Sequence, residues 1–342
     1  MTGSPTLASR TTLRVGGPAA RWVAATTPDE LIRTVRECDE KGDPVLLLGG
    51  GSNVVVADEG FPGTVIEVAL RGIQERDGGD SVLLTVAAGE PWDDLVAHTV
   101  RRTLQGIESL SGIPGSTGAT PIQNVGAYGQ ELADVIANVH AWDRATASEV
   151  DLTPAECGFG YRTSRFKAEP DRWVILDLTL RLRHGDGVVR YGEVASLLGV
   201  EVGARAPVAR LRETVLALRS AKGMVLDQAD HDTWSVGSFF TNPVVDDDVL
   251  VTLPGECPRY AAPGGTKVGA AWLIEAAGVG RGFALGEPPR ATVSSKHSLA
   301  LTNRGTATTA DILDLARAVR AAVRDRFGIE LVPEPTLVGC RL

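Results

Sequence analysis

Two glycine-rich loops constrain this chain more than any other feature in it. Val45 to Leu48 reads as a buried strand and runs into Gly49-Gly50-Gly51-Ser52-Asn53, after which Val54 to Val56 resumes the apolar run. The second loop is Ser111-Gly112-Ile113-Pro114-Gly115-Ser116-Thr117-Gly118-Ala119, continuing through Asn124-Val125-Gly126-Ala127-Tyr128-Gly129. Such turns let unshielded backbone N–H groups converge on an anion such as phosphate. Neither loop fits a common template. The first lacks the third glycine of G-x-G-x-x-G, and no G-x-x-x-x-G-K-[ST] occurs. Either loop alone is equally well read as a tight connection. Two of them, both carrying Ser, Thr or Asn, point to a nucleotide-type diphosphate on something other than a Rossmann domain.

The remaining composition sets bounds. At 342 residues the chain is expected to form two or three domains. Its net charge of −9 argues against a general nucleic-acid binder, though a local basic pocket could still hold an anionic ligand. No apolar run is long enough for a membrane-spanning helix, and the start has no signal-peptide pattern. Cys38, Cys157, Cys257 and Cys340 are far apart, and the five histidines are scattered. No disulfide framework or metal site is therefore expected, and a cytoplasmic setting fits.

Apolar periodicity and caps outline an α/β or α+β chain. Thr27, Pro28 and Glu30 open a helix that Gly42 closes. Val82 to Ala88 reads as a strand, Glu90 to Arg101 as a helix with Trp92, Leu95, Val96 and Val100 inward, and Val174 to Leu182 as a strand. Helices are expected at Val208 to Ser220 and at Ala270 to Ala277. The clearest helix has Thr308 and Asp311 as a capping box, an apolar stripe of Ile312, Leu315, Ala316, Val319, Val323 and Phe327, and Gly328 as its stop. Ile329 to Val332 reads as a final strand.

Ser235-Val236-Gly237-Ser238-Phe239-Phe240-Thr241-Asn242-Pro243 reads as a short strand that proline ends. Gly237 would let a planar ligand approach the backbone beside the Ser238 hydroxyl. From these residues alone, a hydroxyl bonded to its neighbours is the commoner case than a proton donor.

Taken together, five segments resemble one family in order and spacing. They are Leu47-Leu48-Gly49-Gly50-Gly51-Ser52-Asn53, Gly112-Ile113-Pro114-Gly115-Ser116-Thr117-Gly118-Ala119, Tyr161-Arg162-x-Ser164-x-Phe166-Lys167, Gly237-Ser238-Phe239-Phe240-x-Asn242-Pro243 and Pro333-Glu334. From about Thr11 to Gly339 the chain resembles the UDP-N-acetylenolpyruvoylglucosamine reductases, in their long-loop branch. The resemblance implies an α+β architecture: a two-part FAD-binding fold of the vanillyl-alcohol-oxidase/PCMH type plus a C-terminal α+β substrate domain. The implied boundaries are 1–68, rejoined by 329–342, and 69–213 for the two FAD-binding parts, and 214–328 for the substrate domain.

It also implies the chemistry. NADPH reduces FAD and leaves, and the sugar nucleotide then takes the same site and receives the hydride on its enolpyruvyl carbon. FAD contacts are implied for Gly49, Gly50, Gly51, Ser52, Asn53, Gly112, Pro114, Gly115, Ser116, Gly118, Ala119, Asn124, Gly126 and Tyr128. Arg162, Ser238 and Glu334 match the family's catalytic residues. Hydride addition builds negative charge beside the substrate carboxylate, which a fixed cation and a protonated acid would stabilise. Arg162 fits the first role, and Glu334 the second if burial raises its pKa. Ser238 matches the proton donor. Substrate contacts are implied for Tyr161, Tyr191, Lys222, Asn242, Tyr260, Lys267 and His297. A cytoplasmic monomer with no nucleic-acid or membrane partner is expected.

Three departures from the family pattern touch none of the catalytic positions. Thr241 stands where many relatives carry a basic residue, Gly269-Ala270-Ala271-Trp272 differs slightly, and the chain stops soon after Gly339. Two rival readings are an FAD-dependent alcohol or sugar oxidase of the same fold and a non-catalytic flavin-binding regulator. Oxidases of that group commonly attach FAD through a side chain such as His, and neither glycine loop contains one.

Overall fold

The computed structural model describes residues 6–342 and divides the chain into two compact units. One comprises Ala20–Gly50 and Pro62–Ala221, and the other comprises the residues up to Ala19 together with Gly51–Phe61 and Lys222–Leu342. The division falls inside the first glycine loop, between Gly50 and Gly51.

The first unit is built on an antiparallel sheet in the order Ser148–Leu152, Ile136–Asp143, Trp173–His184, Val82–Ala87, Ile73–Asp77. Alternation along Trp173–His184 turns Leu176, Leu178, Leu180 and Leu182 inward. They join Val82, Leu84 and Val86 and the inner face of the helix Trp92–Arg101, where Trp92, Leu95 and Val96 are buried. That helix begins two residues later than expected. Pro91 occupies the N-cap, where its missing N–H and extended backbone are no handicap. Val45–Leu48 runs parallel to Phe61–Val68 and delivers the chain to Gly49. The preceding helix, Pro28–Lys41, is capped by Thr27, whose hydroxyl accepts from Glu30 N–H, and ends on Gly42 in the left-handed region at φ 70°. Glu30 reaches back to the N–H of Thr26, one residue earlier than in a standard box.

The second unit packs the helix Thr309–Phe327 on the hairpin formed by Ala291–Val293 and Leu301–Asn303. Ile312, Leu315, Ala316, Val319 and Val323 are buried beside Val293, Leu301, Phe239 and Phe240. The Thr308–Asp311 capping box forms as expected, and Asp58 accepts two further N–H bonds, from Thr309 at 2.7 Å and Ala310 at 3.0 Å. The final strand is Thr336–Val338, parallel to Val54–Val56, so the expectation of a strand at 329–332 is incorrect. Ile329 and Leu331 are apolar because they fill the core, and the ladder forms only beyond Pro333 and Pro335. Nor is 235–243 a regular strand. It is an extended segment making single bridges on opposite sides, Ser238 with Ala300 and Phe240 with Pro333.

One ion pair ties two loops of the first unit. Asp143 is almost fully buried and accepts from Arg172 Nε at 2.9 Å and Nη2 at 2.8 Å, and from Ala145 N–H at 2.9 Å. The Arg172 hydrogen bonds hold its carboxyl down at about 2, against an ordinary 3.8. A depressed carboxylate pKa contributes stability that is complete above the unfolded value and is lost as pH falls toward the folded one. Asp143→Asn should therefore cost about 1–2 kcal/mol at neutral pH, allowing for screening of the partly exposed Arg172. The difference from the unaltered protein should close as pH drops from about 4 to about 2. Urea denaturation across that range is the measurement, and a deficit independent of pH would contradict the assignment.

Candidate active site

In the first unit the two glycine loops meet backbone to backbone. A Cβ added at Gly50 would lie 2.6 Å from the Gly115 Cα, and one at Gly49 would collide with Ser116 Oγ. Only glycine permits this approach. The second loop is further clamped onto residues 88–93. Gly118 N–H donates to Ala88 O at 2.7 Å and Thr117 N–H to Glu90 O at 2.8 Å, while Trp92 N–H donates to Gly115 O at 3.0 Å. Trp92 Nε1 donates to Leu110 O at 3.1 Å, and Gly112 N–H donates to the Asp93 carboxylate at 2.6 Å. The N–H groups of Gly112, Thr117 and Gly118 are thus committed internally. Those of Gly115 and Ser116 make no hydrogen bond among the described residues. Two adjacent backbone donors left open in a glycine-rich turn suit a diphosphate.

The first loop continues in the second unit. Gly51, at φ 61°, has Arg10 O where a Cβ would sit, and its own carbonyl accepts from Thr12 N–H at 3.0 Å. Asn53 O accepts from Thr336 N–H at 3.0 Å.

Arg162 sits in the left-handed region at φ 51°, uncommon for a residue with a side chain and a frequent mark of functional positions. The tight Gly160–Thr163 turn imposes this conformation, and Lys167 Nζ donates to the Arg162 carbonyl at 3.1 Å. The half-buried guanidinium donates to Gly126 O at 2.9 Å and lies 5.6 Å from the half-exposed Tyr161 ring. Gly126 has the room for it, since a Cβ there would stand 3.4 Å from Arg162 Nη1. Tyr128, at φ 49°, packs edge-on against Tyr191 with centroids 5.4 Å apart. Asn124 is buried with its amide committed, donating to Glu131 and Gly160 O and accepting from Ala133 N–H. Its visible work is holding the loop.

In the second unit Ser238 and Glu334 come from neighbouring extended segments, joined where Glu334 N–H donates to Phe239 O at 2.8 Å. Phe239 and Phe240 anchor the Ser238 segment in the core, and Phe239 N–H donates to Leu299 O at 2.8 Å. Gly237 is required by its φ of 76°, and the space where its Cβ would sit is open. His297 belongs to the turn leading to Ala300, the bridge partner of Ser238. Asn242 Oδ1 accepts from Ala270 N–H at 2.9 Å, so it starts the helix Ala270–Ala276, and this structural use was missed from sequence. Tyr260 and Lys267 face each other across Arg259–Ala262 and Gly265–Val268, with the ammonium 5.8 Å from the ring. Lys222 directly follows the helix Val208–Ala221.

Residues 19–153 match the model of an FAD binding domain, and residues 228–338 that of the UDP-N-acetylenolpyruvoylglucosamine reductase C-terminal domain. The UDP-N-acetylenolpyruvoylglucosamine reductase of Cutibacterium acnes is 54% identical over 98% of this chain and 90% of its own. The chain belongs to the UDP-N-acetylenolpyruvoylglucosamine reductase family. The reductase of Streptomyces avermitilis is 53% identical over 98% of this chain and 94% of its own. The crystal structure of the Thermus caldophilus reductase superposes with a TM-score of 0.67 at 27% identity, over 98% of this chain and 97% of that one. The reductase fold here is α+β, with the FAD-binding part of the PCMH-like class.

The loop contact offers a direct test. Gly50→Ala should push the 113–116 turn away from Gly49 and leave the purified protein with little bound flavin, read as visible absorbance per mole of protein. Retention of full flavin by a folded Gly50→Ala protein would show that the contact is not needed.

Proposed function

We propose that this chain reduces UDP-N-acetylglucosamine enolpyruvate to UDP-N-acetylmuramate with NADPH as reductant, an FAD-dependent step of peptidoglycan synthesis. The observation that carries this reading is family membership at 54% identity across nearly the whole chain. The loop geometry is consistent with it. Gly49, Gly50, Gly115 and Ser116 would hold the FAD diphosphate, with Gly51, Ser52 and Asn53 beside them. When bound there, FAD would supply the hydride chemistry that couples NADPH oxidation to reduction of the substrate's enolpyruvyl group.

The chain's own residues then handle charge and proton. Negative charge develops on the carbon beside the substrate carboxylate. Arg162 stabilises it as a guanidinium already held by Gly126 and the 160–163 turn, which reduces reorganisation during the reaction. Glu334, in its neutral form, donates a hydrogen bond to the same carboxylate. Ser238 delivers the proton to the carbanionic carbon, and its position is secured by the phenylalanine anchors that follow it. Tyr161, Tyr191, Lys222, Asn242, Tyr260, Lys267 and His297 bind the sugar nucleotide, with Lys222 a point charge for its diphosphate.

NADPH and the sugar nucleotide use one site in turn, in a monomer that works in the cytoplasm. Among the described residues no helix is long and apolar enough to cross a membrane. Residues 1–68 with 329–342 and residues 69–213 form the two FAD-binding parts, and 214–328 cover the substrate. The parallel pairing of Thr336–Val338 with Val54–Val56 supports the return of the chain's end to the first part.

NADPH oxidation that depends on the enolpyruvyl sugar nucleotide is the expected activity. Oxygen consumption with a free alcohol or sugar, without that dependence, would favour an oxidase, and a flavin-loaded protein with no turnover would favour a regulator. Ser238→Ala should keep flavin reduction by NADPH and lose about 10²–10⁴-fold in turnover. Glu334→Gln, which keeps a neutral donor, should retain more turnover than Glu334→Ala. Normal turnover in Ser238→Ala would remove the serine from the mechanism.

A further inference from the structure

We infer that Asp93 and Arg212 are positioning residues for the flavin: Asp93 anchors the first glycine of the 112–119 loop, and Arg212 cancels the charge of that anchor beside an anion-binding turn. This rests on the reading that the loop holds the FAD diphosphate. Asp93 lies in the first turn of the helix Trp92–Arg101, and its Oδ1 accepts from Gly112 N–H at 2.6 Å. Among the bonds clamping residues 110–118 onto 88–93 described above, this one alone ends on a charged side chain. Gly112 stands at φ 71°, a conformation that costs an ordinary residue, and the carboxylate fixes its N–H in that orientation. With Gly112, Thr117 and Gly118 committed, the donors of Gly115 and Ser116 are left for a ligand.

The anchor carries an electrostatic liability. A carboxylate near a diphosphate repels it, and the repulsion is stronger where water is partly excluded. Arg212, from the helix Val208–Ala221, meets Asp93 with two parallel bonds, Nη1 to Oδ1 at 2.6 Å and Nη2 to Oδ2 at 2.8 Å. Its side chain is only 17% exposed. This fork neutralises Asp93 while leaving Oδ1 able to accept from Gly112. Burial pushes the Asp93 carboxyl up, but the hydrogen bonds from Arg212 and Gly112 and the charges of Arg212 and Arg219 outweigh it and hold Asp93 below its ordinary pKa. Asp93 therefore remains an anion and needs its cation.

A purely structural ion pair and a charge-compensated anchor differ in the order of their variants. If the pair only holds two helices together, Arg212→Gln, Asp93→Asn and the double variant should weaken the apoprotein alike and leave FAD affinity unchanged once folded. If Arg212 shields the flavin site from Asp93, Arg212→Gln alone should be the worst. The test is titration of flavin-stripped protein with FAD, followed by flavin fluorescence, with urea denaturation of each apoprotein alongside.

Arg212→Gln is expected to raise the FAD dissociation constant about tenfold or more, as for a partly buried charge left without its partner. Asp93→Asn should have a smaller effect, because its amide oxygen can still accept from Gly112. The double variant Asp93→Asn/Arg212→Gln should recover part of the loss. Gly50→Ala serves as the control for the loop itself. If Gly50→Ala also leaves FAD affinity unchanged, the reading of the loop fails. If Gly50→Ala loses FAD while Arg212→Gln binds normally, or if the double variant is no better than Arg212→Gln, the positioning role alone is overturned.

Discussion

Everything at the candidate flavin site depends on how closely two backbones approach. Where Gly49 and Gly50 pass Gly115 and Ser116, the absence of two Cβ atoms sets the separation. The contact would serve little purpose if the loop could relax. The clamp from residues 88–93 stops it relaxing by committing the N–H groups of Gly112, Thr117 and Gly118 and leaving Gly115 and Ser116 open. Loop rigidity and ligand capacity thus come from one allocation of backbone donors. A fixed set of donors is also what makes electrostatic binding effective, because little reorganisation is needed when the anion arrives.

The second unit solves a different problem with similar means. In the proposed mechanism, a small hydroxyl is presented from a segment too irregular to be a strand. Phe239 and Phe240 are both buried in the core, their rings edge-on with centroids 5.1 Å apart, and bridges to Ala300 and Pro333 hold the segment. Glu334 is brought to it by main-chain bonding, between two prolines that limit how the segment can bend. The order of these residues in the sequence was informative, but the reading of a regular strand was not. The adjacent aromatic pair Phe239-Phe240 anchors the segment, and only isolated bridges form.

Much of the fold was legible because the signals were local. The capping threonines, the left-handed glycines 42 and 328 and the apolar stripe from Ile312 to Val323 each act within a few residues, and each appears where the pattern put it. The misses share one cause. Ile329 and Leu331 are apolar for burial rather than for pairing, and a pattern of four residues cannot distinguish the two. Asn242 and Asn124 each also hold main chain, accepting from Ala270 N–H and Ala133 N–H, a structural use the motifs did not signal. Asp93 went unnoticed because an acidic residue in a first helical turn is ordinary. Arg212, 119 positions away, is what makes it unusual.

By itself, the sequence determined which positions must be glycine-like, where helices start and stop, and, through five ordered motifs, the family and its chemistry. These follow from backbone sterics and short-range hydrogen bonding, which act on neighbours along the chain. The tertiary structure alone decided which loop N–H groups remain open, which carboxylate anchors Gly112, and that Glu334 lies beside the Ser238 segment. Each of those is a competition among partners far apart in sequence, settled only when packing brings one of them within hydrogen-bond distance.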